Sequence, residues 1–118
     1  MRKRVLTVIW CWIAVCSLSA ADFVWKTGGK MRVACEAEEE PVVYVALDLL
    51  NRDCEAVLSQ AFSVEEAEGD VYIGTWGKSR LLEGIARKEG INPSEYLGNH
   101  PEAFFITVLK DGKLLVAG

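Results

Sequence analysis

The nine residues Val71-Tyr-Ile-Gly-Thr-Trp-Gly-Lys-Ser79 constrain the fold more than any other stretch. A β-prone run ends at one glycine, bends at a second and reaches a serine. An apolar-periodic segment follows with Leu81, Leu82, Ile85 and Ala86, and Gly90 stops it. Serine suits a helix N-cap because its hydroxyl accepts from a free backbone N–H, and glycine suits the left-handed stop. Strand, turn and capped helix within twenty residues predict a chain that layers helices on a sheet.

A second helix is predicted over residues 41–61. Pro41 fits its first position, where no backbone N–H is needed. Val43, Ala46, Leu47, Leu50, Cys54, Val57 and Leu58 recur at helical spacing as one apolar stripe, with Asp48, Asn51, Arg52, Glu55 and Ser59 on the other side. Glu36-Ala-Glu-Glu-Glu40, just before it, reads as a solvated helix start in which acid complements the helix dipole. Phe23–Lys26 and Met31–Cys35, around Gly28-Gly29, predict a hairpin. Ser63–Asp70 reads as a polar loop, and Asn92–Gly98 as a capped turn or one-turn helix. Phe104–Leu109 and Lys113–Ala117 flank an Asp-Gly turn and predict a second hairpin. The order β-β-α-β-α-β-β describes an α/β (α+β layered) domain with a small mixed sheet and two main helices. Phe104-Phe-Ile-Thr-Val-Leu109 is apolar on both alternating faces, as in a strand covered on both sides. Two helices cover two faces only in part, so some cover is expected from a partner.

The first 21 residues read as an export signal. Met1-Arg-Lys-Arg4 is basic, residues 5–18 are mostly apolar, and Ser19-Ala-Ala21 offers small residues for cleavage. The apolar run falls short of the ~20 residues that span a bilayer. Val15 before Cys16 and Trp10 before Cys11 argue against a lipoprotein signal. The expected location is secreted or periplasmic, with no membrane attachment after cleavage.

Residues 22–118 then hold ten Lys/Arg against 17 Asp/Glu, a net charge of −7. With no basic cluster, nucleic acid and anionic surfaces are not expected partners. Cys35 and Cys54 remain. Cys54 lies 13 residues beyond Pro41, ~20 Å down a helix at 1.5 Å per residue. Disulfide Cα atoms are usually ~4.4–6.8 Å apart, so two buried free thiols are expected.

Gly74-Thr-Trp-Gly-Lys-Ser79 invites a phosphate-loop reading, but that motif needs a glycine where Tyr72 stands. The turn is nonetheless where open α/β sheets bind ligands. Trp76 and Lys78 are therefore the candidate ligand contacts, the indole stacking on a sugar ring and the ammonium facing a carboxylate such as glucuronate. The competing reading packs Trp76 against a neighbouring domain, and the residues favour it. No catalytic residue is assigned. Glycosidase chemistry needs two carboxyls across one pocket, whereas the acids here fall on helix surfaces and in loops. His100 is the single histidine, and no Gly-x-Ser-x-Gly elbow occurs. No metal site and no cofactor are expected.

Taken in order, Ala46-Leu-Asp-Leu-Leu-Asn-Arg-Asp53, Ile73-Gly-Thr-Trp-Gly-Lys-Ser79, Ala103-Phe-Phe-Ile-Thr-Val108 and Leu115-Val-Ala-Gly118 resemble the N-terminal domain of glycoside hydrolase family 115, the xylan α-glucuronidases. The resemblance implies an accessory α/β domain over 22–118, incomplete at its C-terminal end, with catalysis in a (β/α)8 barrel beyond it. That barrel is the implied partner, and glucuronoxylan the implied substrate of the full-length enzyme. Related accessory domains precede the barrels of family 67 and family 20 enzymes, so the domain class is implied more firmly than the substrate. The alternative is a stand-alone envelope domain that binds carbohydrate or a protein partner.

Overall fold

The computed structural model describes residues 22–26 and 29–118. Its elements are β1 (Arg32–Ala34), α1 (Pro41–Leu58), β2 (Ser63–Glu65), β3 (Val71–Gly74), α2 (Arg80–Glu89), α3 (Ser94–Leu97), β4 (Phe105–Val108) and β5 (Leu114–Ala117). One five-stranded mixed sheet runs β2-β1-β3-β5-β4. β1 pairs in parallel with β2 and β3, β3 in parallel with β5, and the β4–β5 hairpin is antiparallel. The layered α/β class expected from the sequence is the class observed.

Strand alternation divides the core in two. Val33 and Val71 sit side by side and pack with Leu47 and Cys54 of α1 and with Phe62. Their neighbours Ala34 and Tyr72 point the other way, into a cluster with Leu82 of α2, Leu97 of α3 and Leu115. α1 thus covers one face, and α2 with α3 covers the other. Cys35 and Cys54 are both buried and both free, in the cluster under α1. Burial raises the Cys35 thiol above its ordinary value, and the carboxylates of Glu39 and Glu36 push the same way against a hydrogen bond with Tyr44.

Five expectations need correction. Phe23–Lys26 is no strand, because both edges of β1 are taken by β2 and β3. The segment lies over the core instead, with Trp25 edge-on to Phe62 at 6.0 Å and to Phe23 at 6.4 Å. The expected turn at Thr27-Gly28 and the signal at 1–21 lie outside the described residues. The loop expected over Ser63–Asp70 contains edge strand β2. α1 ends at Leu58, where Ser59 turns left-handed at φ 55°. Of its predicted stripe only Leu47 and Cys54 are buried, while Val57 is 80% exposed. Asn51, expected on the outer side, faces inward. Its amide donates to the Phe62 carbonyl at 3.0 Å and accepts the Phe62 N–H at 2.8 Å, tying α1 to the start of β2.

Candidate functional site

α1 follows β1 onto one face and α2 follows β3 onto the other, so the chain parts at the carboxyl ends of β1 and β3. A crevice at such a reversal is where open α/β sheets bind ligands. Here it lies between Glu36–Glu40 and Thr75–Ser79. A cleft of about 670 Å3 opens there, lined by Glu36, Ala37, Glu38, Glu66, Lys78 and Arg80.

The turn has the expected local structure. Gly77 takes φ 91°, a conformation that glycine adopts without steric cost. Ser79 caps α2, its hydroxyl accepting the Leu82 N–H at 3.2 Å. Gly90 closes the helix in the left-handed region, its N–H donating to the Ala86 and Arg87 carbonyls.

The floor of the crevice holds the chain's own anions. Glu39 is 5% exposed, and its carboxylate accepts the N–H groups of Thr75 and Glu40, each at 3.1 Å. Burial by itself would raise the Glu39 carboxyl. Hydrogen bonds from the Thr75 hydroxyl and from these two N–H groups, with the charge of Lys78, outweigh it and hold the group below the ordinary carboxylate value. Glu36 accepts the Leu81 N–H at 2.8 Å, at the start of α2. Two N–H groups that could meet a bound anion at this helix start, those of Leu81 and Leu82, are met instead by Glu36 of the β1–α1 loop and by Ser79. Gly74 leaves room for this arrangement, since a Cβ there would come within 2.8 Å of Glu39 Oε2 and 3.0 Å of Ser79 Cβ.

Both sequence-predicted contacts are engaged within the fold. Lys78 Nζ lies 2.7 Å from Glu40 Oε1, and that carboxylate holds the ammonium above its ordinary value. Trp76 packs against the cluster under α2, and its indole N–H donates to Ser94 Oγ at 2.8 Å. Its backbone N–H donates to the Gly118 carbonyl, also at 2.8 Å, linking the turn to the end of β5. One edge of Trp76 lines a groove of about 390 Å3 with Glu83, Arg87, Ile91 and Asn92. The structure therefore brings Lys78 to the crevice and turns Trp76 toward α3.

Glu36 and Glu39 are the residues that sequence reasoning missed, having been read as part of a solvated helix start. That reading fails because the β1–α1 loop folds inward over the β3 turn. Neither spacing nor residue type marks Glu39 apart from Glu38 and Glu40. Elsewhere the acids behave as expected. Asp48 is exposed and pairs with Arg52 at 2.9 Å, and His100 is exposed. Among the described residues no cluster of three or more His, Cys, Asp or Glu could hold a metal, and no helix is long and apolar enough to cross a membrane.

No family model matches the chain, and no curated protein does. Among solved structures it is similar to a family GH115 4-O-methyl-α-glucuronidase described as having specificity for decorated arabinogalactans. The two share 42% sequence identity and a TM-score of 0.71, over 82% of this chain and 12% of that one. The resemblance read from the sequence motifs is thus kinship in both sequence and fold: the chain is related to glycoside hydrolase family 115 and spans 12% of the length of the enzyme it matches.

Proposed function

We infer that this chain is a non-catalytic, N-terminal accessory segment of an exported family-115-type glycoside hydrolase, which supports the catalytic barrel of the full-length enzyme and is inactive alone. The observation that carries this reading is the match itself, high in identity yet spanning 12% of a glucuronidase. The crevice supports it, because its buried carboxylate is committed to backbone N–H groups and stands as an anchor rather than as an acid or base facing a cleft. So does an apolar groove of about 310 Å3 beside α1, lined by Val42, Ala46, Ile73, Phe104 and Val116. Apolar surface of that kind is the mark of a docking face, and the barrel is its proposed occupant.

The substrate proposed for the full-length enzyme is a plant polysaccharide bearing α-linked glucuronic acid or its 4-O-methyl ether. Glucuronoxylan is the backbone implied by the motifs, and decorated arabinogalactan the one named for the matched relative. The test is an assay of the purified chain on both polysaccharides against a heat-killed control. No release of glucuronic acid or its methyl ether is expected. Release above the control would overturn the non-catalytic reading.

A further inference from the structure

The turn after β3 sets Trp76 beside a second opening, apart from the crevice that holds Glu36 and Glu39. This groove of about 390 Å3 runs along α2 and is lined by Trp76, Glu83, Ala86, Arg87, Ile91 and Asn92. Small-molecule sites are concavities of ~300–1,000 Å3 with apolar walls and a few convergent polar groups. The aromatic wall is fixed before any ligand arrives. The indole N–H donates to Ser94 Oγ at 2.8 Å, and the Ser94 N–H donates to Asn92 Oδ1 at 3.2 Å. The Trp76 backbone is tied to Gly118 as well. A wall already ordered loses little conformational freedom on binding.

Three polar side chains flank that wall. Glu83 and Arg87 stand one turn apart on α2, a spacing that permits an ion pair. Neither is paired with the other or with any other described residue. The NH2 group of Asn92 has no protein partner among the described residues, its Oδ1 alone being engaged. A carboxylate only accepts hydrogen bonds and a guanidinium only donates them, whereas a hydroxyl does both. The set therefore suits a ligand with several hydroxyls. One charge of each sign leaves the groove without net charge, and Glu83 opposes a carboxylate. Trp76, Ala86 and Ile91 supply apolar surface for C–H groups. C–H groups on one side and hydroxyls at the rim, with no charge, describe a neutral sugar ring.

We propose that this groove binds one neutral pyranose unit of a saccharide chain, its C–H groups against Trp76 and Ile91 and its hydroxyls on Glu83, Arg87 and Asn92. The groove lies on the α2 side of the sheet, away from the apolar groove beside α1, and so stands independently of the docking proposed for the barrel. It is equally independent of catalysis, because binding a sugar and releasing glucuronic acid are read by different measurements.

The test is a heteronuclear NMR titration of the isotope-labelled chain with xylotriose and, separately, with galactotriose, the two neutral backbones in question. Saturable shifts are expected at the Trp76 indole N–H and at the amides of Arg87, Ile91 and Asn92, with a Kd on the order of 1 mM for at least one of the two. The Trp25 indole N–H should stay in place. A response to one trisaccharide alone sustains the proposal and identifies the backbone. Arg87→Ala removes an exposed side chain and is expected to weaken binding about tenfold. Glu83→Gln, which keeps the shape of the side chain, should weaken it severalfold. No saturable shift with either sugar, shifts centred outside this groove, or affinity unchanged in both variants would each overturn the proposal.

Discussion

At the scale of single residues, Glu39 decides most about the crevice. A buried carboxylate held by backbone donors is stabilising only while it is charged. Its folded value lies below its unfolded one, so its contribution is fully present above the unfolded carboxyl range and is lost as pH falls through the folded value. Glu39→Gln is expected to cost roughly 1–3 kcal/mol at neutral pH, read as a lower urea midpoint with unchanged slope. The variant's stability should also decline less steeply than the parent's between about pH 5 and pH 3. Equal stability and an identical acid profile would show that Glu39 is a bystander. The cap at Ser79, the bend at Gly77 and the stop at Gly90 were legible because each follows from a local backbone demand. Glu39 was not, because its burial depends on two loops meeting across 36 positions of sequence.

At the scale of elements, local pattern located β1, α1, β3, α2, α3 and the β4–β5 hairpin, but misread Phe23–Lys26 and missed β2. Phe23–Lys26 has the alternation of a strand, yet pairing is decided by which edge of β1 is free, and none is. Ser63-Val-Glu65 is short and acidic enough to read as loop, but parallel pairing with β1 makes it the sheet's charged edge. The α1 stripe was read too wide, because only part of the helix lies against the sheet. Asn51 is the informative exception on that helix. Asn51→Leu should remove both bonds to Phe62 and leave its backbone groups without those partners, at about 1–3 kcal/mol. The check is faster hydrogen exchange at the Phe62 amide, with exchange within α2 unchanged. Protection of Phe62 equal to the parent's would refute the tie between α1 and β2.

At the scale of the whole molecule, the two core clusters lie on opposite sides of one sheet, and both cysteines among the described residues sit in the cluster under α1. Burial keeps both sulfurs from a reagent in solution, and at Cys35 it also raises the thiol, which lowers its nucleophilicity. Peptides containing Cys35 and Cys54 should therefore take up a thiol reagent only as the chain unfolds in urea, and both should then be modified. Rapid labelling of either under native conditions would mean that α1 does not close this face. The fold class was legible because strand and helix patterns alternate along the chain. The exposed groove beside α1 was only hinted at, by a strand apolar on both faces. Which apolar face stays open depends on where each helix lands.

The account turns on the claim that backbone donors at the crevice between β1 and β3 are taken by the chain's own carboxylates. The most direct test is a heteronuclear NMR titration of the isotope-labelled chain at neutral pH with glucuronate, and separately with inorganic phosphate. The account predicts that the amides of Thr75, Trp76, Lys78, Ser79 and Leu81 keep their positions up to millimolar ligand. Saturable shifts confined to those amides would contradict it and would make the crevice an anion-binding site.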